Sequence, residues 1–241
     1  MRLILVLALL LIPSIAKAEY KDPVFLLNDA ESLLHISATE QREVDQDLLI
    51  ANLRIEVENA DNKYVQNEVN KAMAAALKEA KSFKDVKAIT RGYNVHQYDK
   101  NRGRNGTRPN MVWKGSQSVQ LKSKNAEELL DLAGKMQGAG LIMGGLNYTL
   151  SPAKAAEIQD EMLEAALEKL TARAQRAAKA LGKNKAELKE INTQGNYTPH
   201  QPVYTQSRMM AKGADMEMAA PVASPGETTL TMNVSAKALL K

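Results

Sequence analysis
Four methionines, Met209, Met210, Met216 and Met218, stand close together in a stretch that also carries His200 and Tyr204. Thioethers are soft, uncharged ligands, so such a cluster favours Cu(I) or Ag(I) and rejects zinc. His200 could add a harder ligand, although its distance is not fixed by the sequence. Thioethers are also oxidised reversibly to sulfoxides, which would make the same cluster an oxidant buffer. The plainer reading is that these methionines pack their loop onto the core or onto a neighbouring subunit. A second cluster is cationic: Lys100, Arg102, Arg104 and Arg108. Clustered guanidinium groups pair well with phosphates, so this tip could touch anionic lipid, polysaccharide or nucleic acid. The plainer reading there is a solvated turn.

The remaining search for chemistry is negative. His35, His96 and His200 fall on separate elements, and no HExxH pair is present. There is no G-x-S-x-G elbow and no Walker loop. Gly138, Gly140 and Gly144 do not fit the dinucleotide fingerprint, and they precede a strand instead of opening a helix. With no cysteine, neither a disulfide framework nor a thiol nucleophile is possible. No cofactor is expected.

These residues need elements to hold them. Residues 33–40 alternate weakly and residues 44–57 clearly, with Leu49, Ala51, Leu53, Ile55 and Val57 on one face, so both read as strands. Residues 61–81 change to steps of three and four, the mark of an amphipathic helix. Residues 86–98 and 111–122 return to a period near two and form a hairpin whose long tip, 99–110, holds the basic cluster. A second helix spans 123–137, with Leu129, Leu132, Ala133 and Met136 inward, and Gly138 and Gly140 end it. Residues 141–150 form a strand in which Gly144-Gly145 suggests a bulge.

The longest helix spans 151–181, with Ser151 as N-cap, Pro152 as first helical residue and Gly182 as stop. Its predicted buried stripe is Ile158, Met162, Leu163, Ala166, Leu167, Leu170, Ala174, Ala177 and Leu181. Strands follow at 186–197 and 227–238, separated by a loop at 198–226. From 44 to 150 the order is β-α-β-β-α-β, that of ferredoxin-like units. The expected class is α+β, a mixed sheet of that order extended by the third long helix and further strands.

The first eighteen residues set the expected compartment. Met1-Arg2 is a short positive start, Leu3 to Ile12 an unbroken apolar run, and Ala16-Lys17-Ala18 a small-x-small exit. The run is too short to cross a bilayer, which takes ~20 apolar residues. Residues 1–18 are therefore expected to be a signal peptide cleaved after Ala18, releasing a periplasmic protein with no transmembrane segment. Residues 19–31 are a lead-in and 32–241 the folded domain. Removing Arg2 and Lys17 from the 32 basic residues leaves 30 against 28 acidic ones. That balance argues against nucleic acid as a partner.

Four stretches carry a resemblance. They are Ile36-Ser37-Ala38-Thr39-Glu40; the strand from Ala139-Gly140-Leu141 through Gly144-Gly145 to Leu150; the helix end Ala180-Leu181-Gly182; and the tail with Pro225-Gly226-Glu227. Together they resemble the SIMPL-domain family, the group containing bacterial periplasmic oxidative-stress-defence and immunogenic envelope proteins. The resemblance implies an α+β domain that self-assembles and has no established biochemical activity. The matching motifs concern packing and turns, and the basic tip is a departure from the family pattern. The leading expectation is a non-enzymatic exported envelope protein, a homo-oligomer with a peripheral envelope contact that contributes to oxidative-stress defence. The alternative is a Cu(I)-binding or oxidant-buffering module.

Overall fold
The alternation at Leu49, Ala51, Leu53 and Ile55 buries all four side chains and builds one face of β2 (Leu48–Asn59). The computed structural model describes residues 31–102, 108–197 and 222–241. Helix α1 (Asn62–Ala80) packs on that face through Val65, Val69, Met73, Ala76 and Ala80. Its first turn is held by Asp61, whose carboxylate accepts from the Lys63 amide at 2.8 Å. Helix α2 (Ala126–Gly138) begins at the Asn125 cap and lays Leu129, Leu132, Ala133 and Met136 on the same core, all four as predicted.

With β3 (Lys87–Asp99), β4 (Met111–Ser123) and β5 (Ile142–Thr149), the strands order as β3-β4-β2-β5, each pair antiparallel. This is the ferredoxin-like arrangement that the element order predicted. Gly144 is the extra residue where the β2–β5 register shifts, opposite Asn52 and Leu53. Gly115 plays a different part. A Cβ there would fall 2.4 Å from Val65 Cγ1, so the missing side chain is what lets α1 lie this close to β4.

The second half has its own sheet. β1 (Ser32–Asp45), β7 (Glu227–Leu240) and β6 (Ala186–Tyr197) run in the order β1-β7-β6, again antiparallel. Leu230, Met232, Val234 and Ala236 of β7 face α3 (Pro152–Ala180) and meet Met162, Ala166 and Leu170. The α+β class is as expected, but the single mixed sheet is not. Each connection returns its strand antiparallel to its neighbour, and the flanking strands close a separate layer around α3.

Two local expectations also change. The strand expected at 44–57 is split at Gln46-Asp47: Val44 is the last buried residue of β1, in one core, and Leu49 the first of β2, in the other. The buried stripe of α3 is also narrower than predicted. Met162, Ala166, Leu170, Ala174 and Ala178 are buried at steps of four, while Ile158, Leu163, Leu167 and Ala177 are half-buried. A helix on a single narrow sheet offers it little more than one ridge. Leu181 lies past the helix end and is 61 % exposed. There Gly182 adopts φ +68° and the Lys183 amide reaches back to the Ala178 carbonyl at 2.8 Å, closing the helix.

Leu170→Ala is expected to cost about 2–5 kcal/mol in denaturant unfolding, as for a fully buried leucine. Leu167→Ala should cost less, and Glu164→Ala no more than about 0.5 kcal/mol. Equal losses at positions 167 and 170 would contradict this placement of the α3 ridge.

Candidate functional site
Two polar residues carry the chain from one sheet to the other. The Gln46 amide donates to the Gly226 carbonyl at 2.8 Å, and its buried side chain donates to Thr228 Oγ1 at 3.0 Å. Asp47 turns the other way. One carboxylate oxygen accepts from the Ser151 amide at 2.7 Å; the other accepts from the Ser151 hydroxyl at 2.8 Å and lies 2.7 Å from Lys124 Nζ. Burial pushes the Asp47 carboxyl up. Lys124 and the two Ser151 donors outweigh that, lowering its pKa to about 2. Ser151 in turn caps α3, so one carboxylate fixes the start of that helix against the four-stranded sheet.

The face of the four-stranded sheet opposite α1 and α2 is polar and largely satisfied by its own side chains. Gln120 donates to Asn52 at 3.0 Å and accepts from Arg91 at 3.1 Å. Glu56 is paired with Arg54 and Lys114. At the hairpin end, Glu58 accepts from the Tyr98 hydroxyl at 2.9 Å and from Lys100 at 3.2 Å. Those two bonds hold the Glu58 carboxyl below its usual range, and the carboxylate pushes the Tyr98 hydroxyl up.

The predicted basic tip is therefore only partly a cation cluster. Lys100 is neutralised by Glu58, whereas Arg102 and Arg108 are exposed. Asp99 closes the base of the tip, accepting from the Asn101 and Asn110 amides at 2.9 and 2.7 Å. Arg104 lies outside the described residues, as do Met209, Met210, Met216, Met218, His200 and residues 1–18.

His96 contacts Asn94 at 3.2 Å and lies 6.2 Å from the Tyr98 ring. His35 is on the other sheet, beside a shallow hollow of about 140 Å³ with Asn192, Ser235 and the Lys237–Glu190 ion pair. Among the described residues no group of three or more His, Asp or Glu could hold a metal ion. No helix among them is long and apolar enough to cross a membrane.

Among the described residues four strands are sheet edges, and they are not alike. β3 is kinked by a register shift at Arg91 and Tyr93, β5 by the Gly144 bulge, and β6 between Leu188 and Glu190. β1 pairs with β7 from Ser32 to Asp45 without a shift, and it contains no proline, glycine or lysine. Its inward charges are neutralised by α3, Glu40 by Lys169 and Arg42 by Glu161. Arg173 donates to its Ser37 carbonyl and Lys154 to its Asp45 carbonyl. The final strand, β7, is the middle strand of its sheet and has no free edge. Nothing in the alternation of β1 distinguishes an edge from a centre, which is why sequence reasoning missed it.

Two antiparallel sheets, one ferredoxin-like with two helices and one three-stranded with a single long helix, define a two-layered α+β protein. The chain belongs to the SIMPL family, described as proteins of unknown function (DUF541), whose profile matches residues 34–238. None of the curated proteins matches it significantly.

The Asp47 carboxyl titrates lower in the folded chain than the ~3.9 of an unfolded aspartate. Its contribution is fully present above about pH 4 and is lost as the pH falls toward 2. Asp47→Asn should therefore cost roughly 1–3 kcal/mol near neutral pH, and the gap from the parent should narrow as the pH falls below about 4. Urea unfolding across that range checks both. A pH-independent gap would mean that the charge is not what Asp47 contributes.

Proposed function
We propose that this is a non-enzymatic, exported envelope protein that self-assembles through the edge of β1 and contributes to oxidative-stress defence. The supporting observation is the contrast among the four sheet edges. A long, straight edge presents unpaired backbone donors and acceptors, and proteins that stay monomeric blunt such edges with bulges, lysine or proline. β3, β5 and β6 are interrupted in this way, and β6 places Lys189 at its shift. β1 carries none of these devices. Pairing two β1 strands antiparallel about a two-fold axis would join two three-stranded sheets into one of six. Export is supported by the order of residues in the first eighteen positions, and the stress role by family resemblance.

Light scattering on protein recovered from the envelope fraction, with its N-terminus sequenced, tests the reading. The expected product starts at Glu19 and is larger than a monomer. Thr39→Lys combined with Gln41→Lys places like charges along the edge and should shift the protein toward monomer without changing its circular dichroism. A parent that is monomeric at high micromolar concentration would refute self-assembly, and an uncleaved cytoplasmic product would refute export. A strain lacking the protein should be more sensitive to hypochlorite and regain resistance from the parent gene.

The soft-metal alternative rests on Met209, Met210, Met216 and Met218 with His200. Anaerobic Cu(I) competition against a variant with leucine at all four methionines separates it. Equal retention by the two proteins would make the methionines packing residues.

A further inference from the structure
Where the chain leaves β5 and turns into α3, the two layers diverge. The outer face of the four-stranded sheet and the first turns of α3 bound a cleft of about 370 Å³. Leu48 and Ile50 form its floor, and Leu150, Pro152 and Ala155 its wall. A volume of this size sits toward the small end of the ~300–1,000 Å³ typical of small-molecule sites.

Lys122 also lines this cleft. Lys87 of β3 is its direct partner in the antiparallel register, so both side chains rise from the same face. Ile50 is the partner of Lys122 on the other side, so one rung runs from two cations into the apolar floor. Like charges directly opposite on a sheet repel and destabilise the pairing. Elsewhere on this face Lys114 has Glu56, Lys100 has Glu58, and Arg91 donates to Gln120. Lys124 likewise has Asp47. Among the described residues no carboxylate reaches Lys87 or Lys122. An anion placed between them would relieve the repulsion, and an apolar body attached to it would continue over Ile50 into the cleft.

We propose that this cleft binds a free amphiphile with a single anionic head, a medium-chain fatty carboxylate of roughly ten carbons, with its head at Lys122 and Lys87 and its chain against Leu48, Ile50 and Ala155. The cleft is too small for a two-chain lipid, and one carboxylate suits two adjacent ammonium groups. This assignment does not rest on the assembly through β1.

Calorimetric titration of the purified full chain with decanoate, below its micelle concentration, tests it. Decanol and vesicles containing an anionic phospholipid are run beside it. Decanoate should bind at least about tenfold more tightly than decanol, and added salt should weaken it. Lys122→Gln should lower decanoate affinity about tenfold and leave decanol unchanged, and Lys87→Gln should act in the same direction. Ala155→Phe, checked for folding by circular dichroism, should abolish both by filling the cleft. Equal affinity for decanoate and decanol would overturn the proposal, as would decanoate binding indifferent to both lysine changes. Vesicle binding that depends on Lys122 without decanoate binding would also overturn it, assigning the lysines to a membrane surface instead. Light scattering in the same samples keeps a failure of assembly separate from a failure of binding.

Discussion
The Gln46-Asp47 crossing is the constraint on which the arrangement of the two halves depends. Among the described residues the chain passes between the two halves at two places, residues 46–47 and the Leu150-Ser151 step into α3. Both are tied to this pair of side chains. Gln46 also holds the start of β7 through Gly226 and Thr228, and Asp47 holds the second crossing through both donors of Ser151. Each half has its own apolar core, so hydrophobic burial alone would stabilise two layers without fixing the angle between them. Directional hydrogen bonds supply that angle. A half-buried carboxylate is a costly way to do so unless it is well answered, and Asp47 is answered by Lys124 and two Ser151 donors.

Much of the fold was legible because periodicity reports burial directly. The α1 and α2 core residues, the inward face of β2 and that of β7 all follow from steps of two or of three and four. The ferredoxin-like order followed from the sequence of elements. The crossing itself was not legible. Asp45-Gln46-Asp47 separates Val44 from Leu48 and shifts the buried positions from even to odd, but only the pairing partners show that β1 ends and β2 begins there. Gln46 and Asp47 look like two more strand-surface polar residues. Their role depends on Thr228, Gly226, Lys124 and Ser151, groups far away in sequence.

The candidate sites show the same division. Clustered cations were easy to see at Lys100, Arg102 and Arg108, but the structure spends Lys100 on Glu58, forty-two positions away. Lys87 and Lys122 stood out in no window of sequence, being thirty-five residues apart, and meet only because β3 and β4 pair in one register. Composition reveals where charge is dense, whereas function depends on where charge is left unanswered. That distinction is tertiary.

The same reasoning bears on β1. An inward-pointing charge on an edge strand ordinarily discourages pairing, because adding a partner would bury it further. Glu40 and Arg42 occupy such positions, yet Lys169 and Glu161 of α3 already satisfy them. Instead of repelling a partner, these ion pairs hold β1 flat against the helix along most of its length. Arg173 and Lys154 reach the strand near Ser37 and Asp45 and hold its backbone there. A strand fixed in this way loses little conformational entropy when a second strand joins it, which lowers the cost of association. The straightness of β1 is thus a consequence of α3, and α3 is positioned by Asp47. The crossing that sets the angle between the layers therefore also presents the edge through which copies of the chain are proposed to meet.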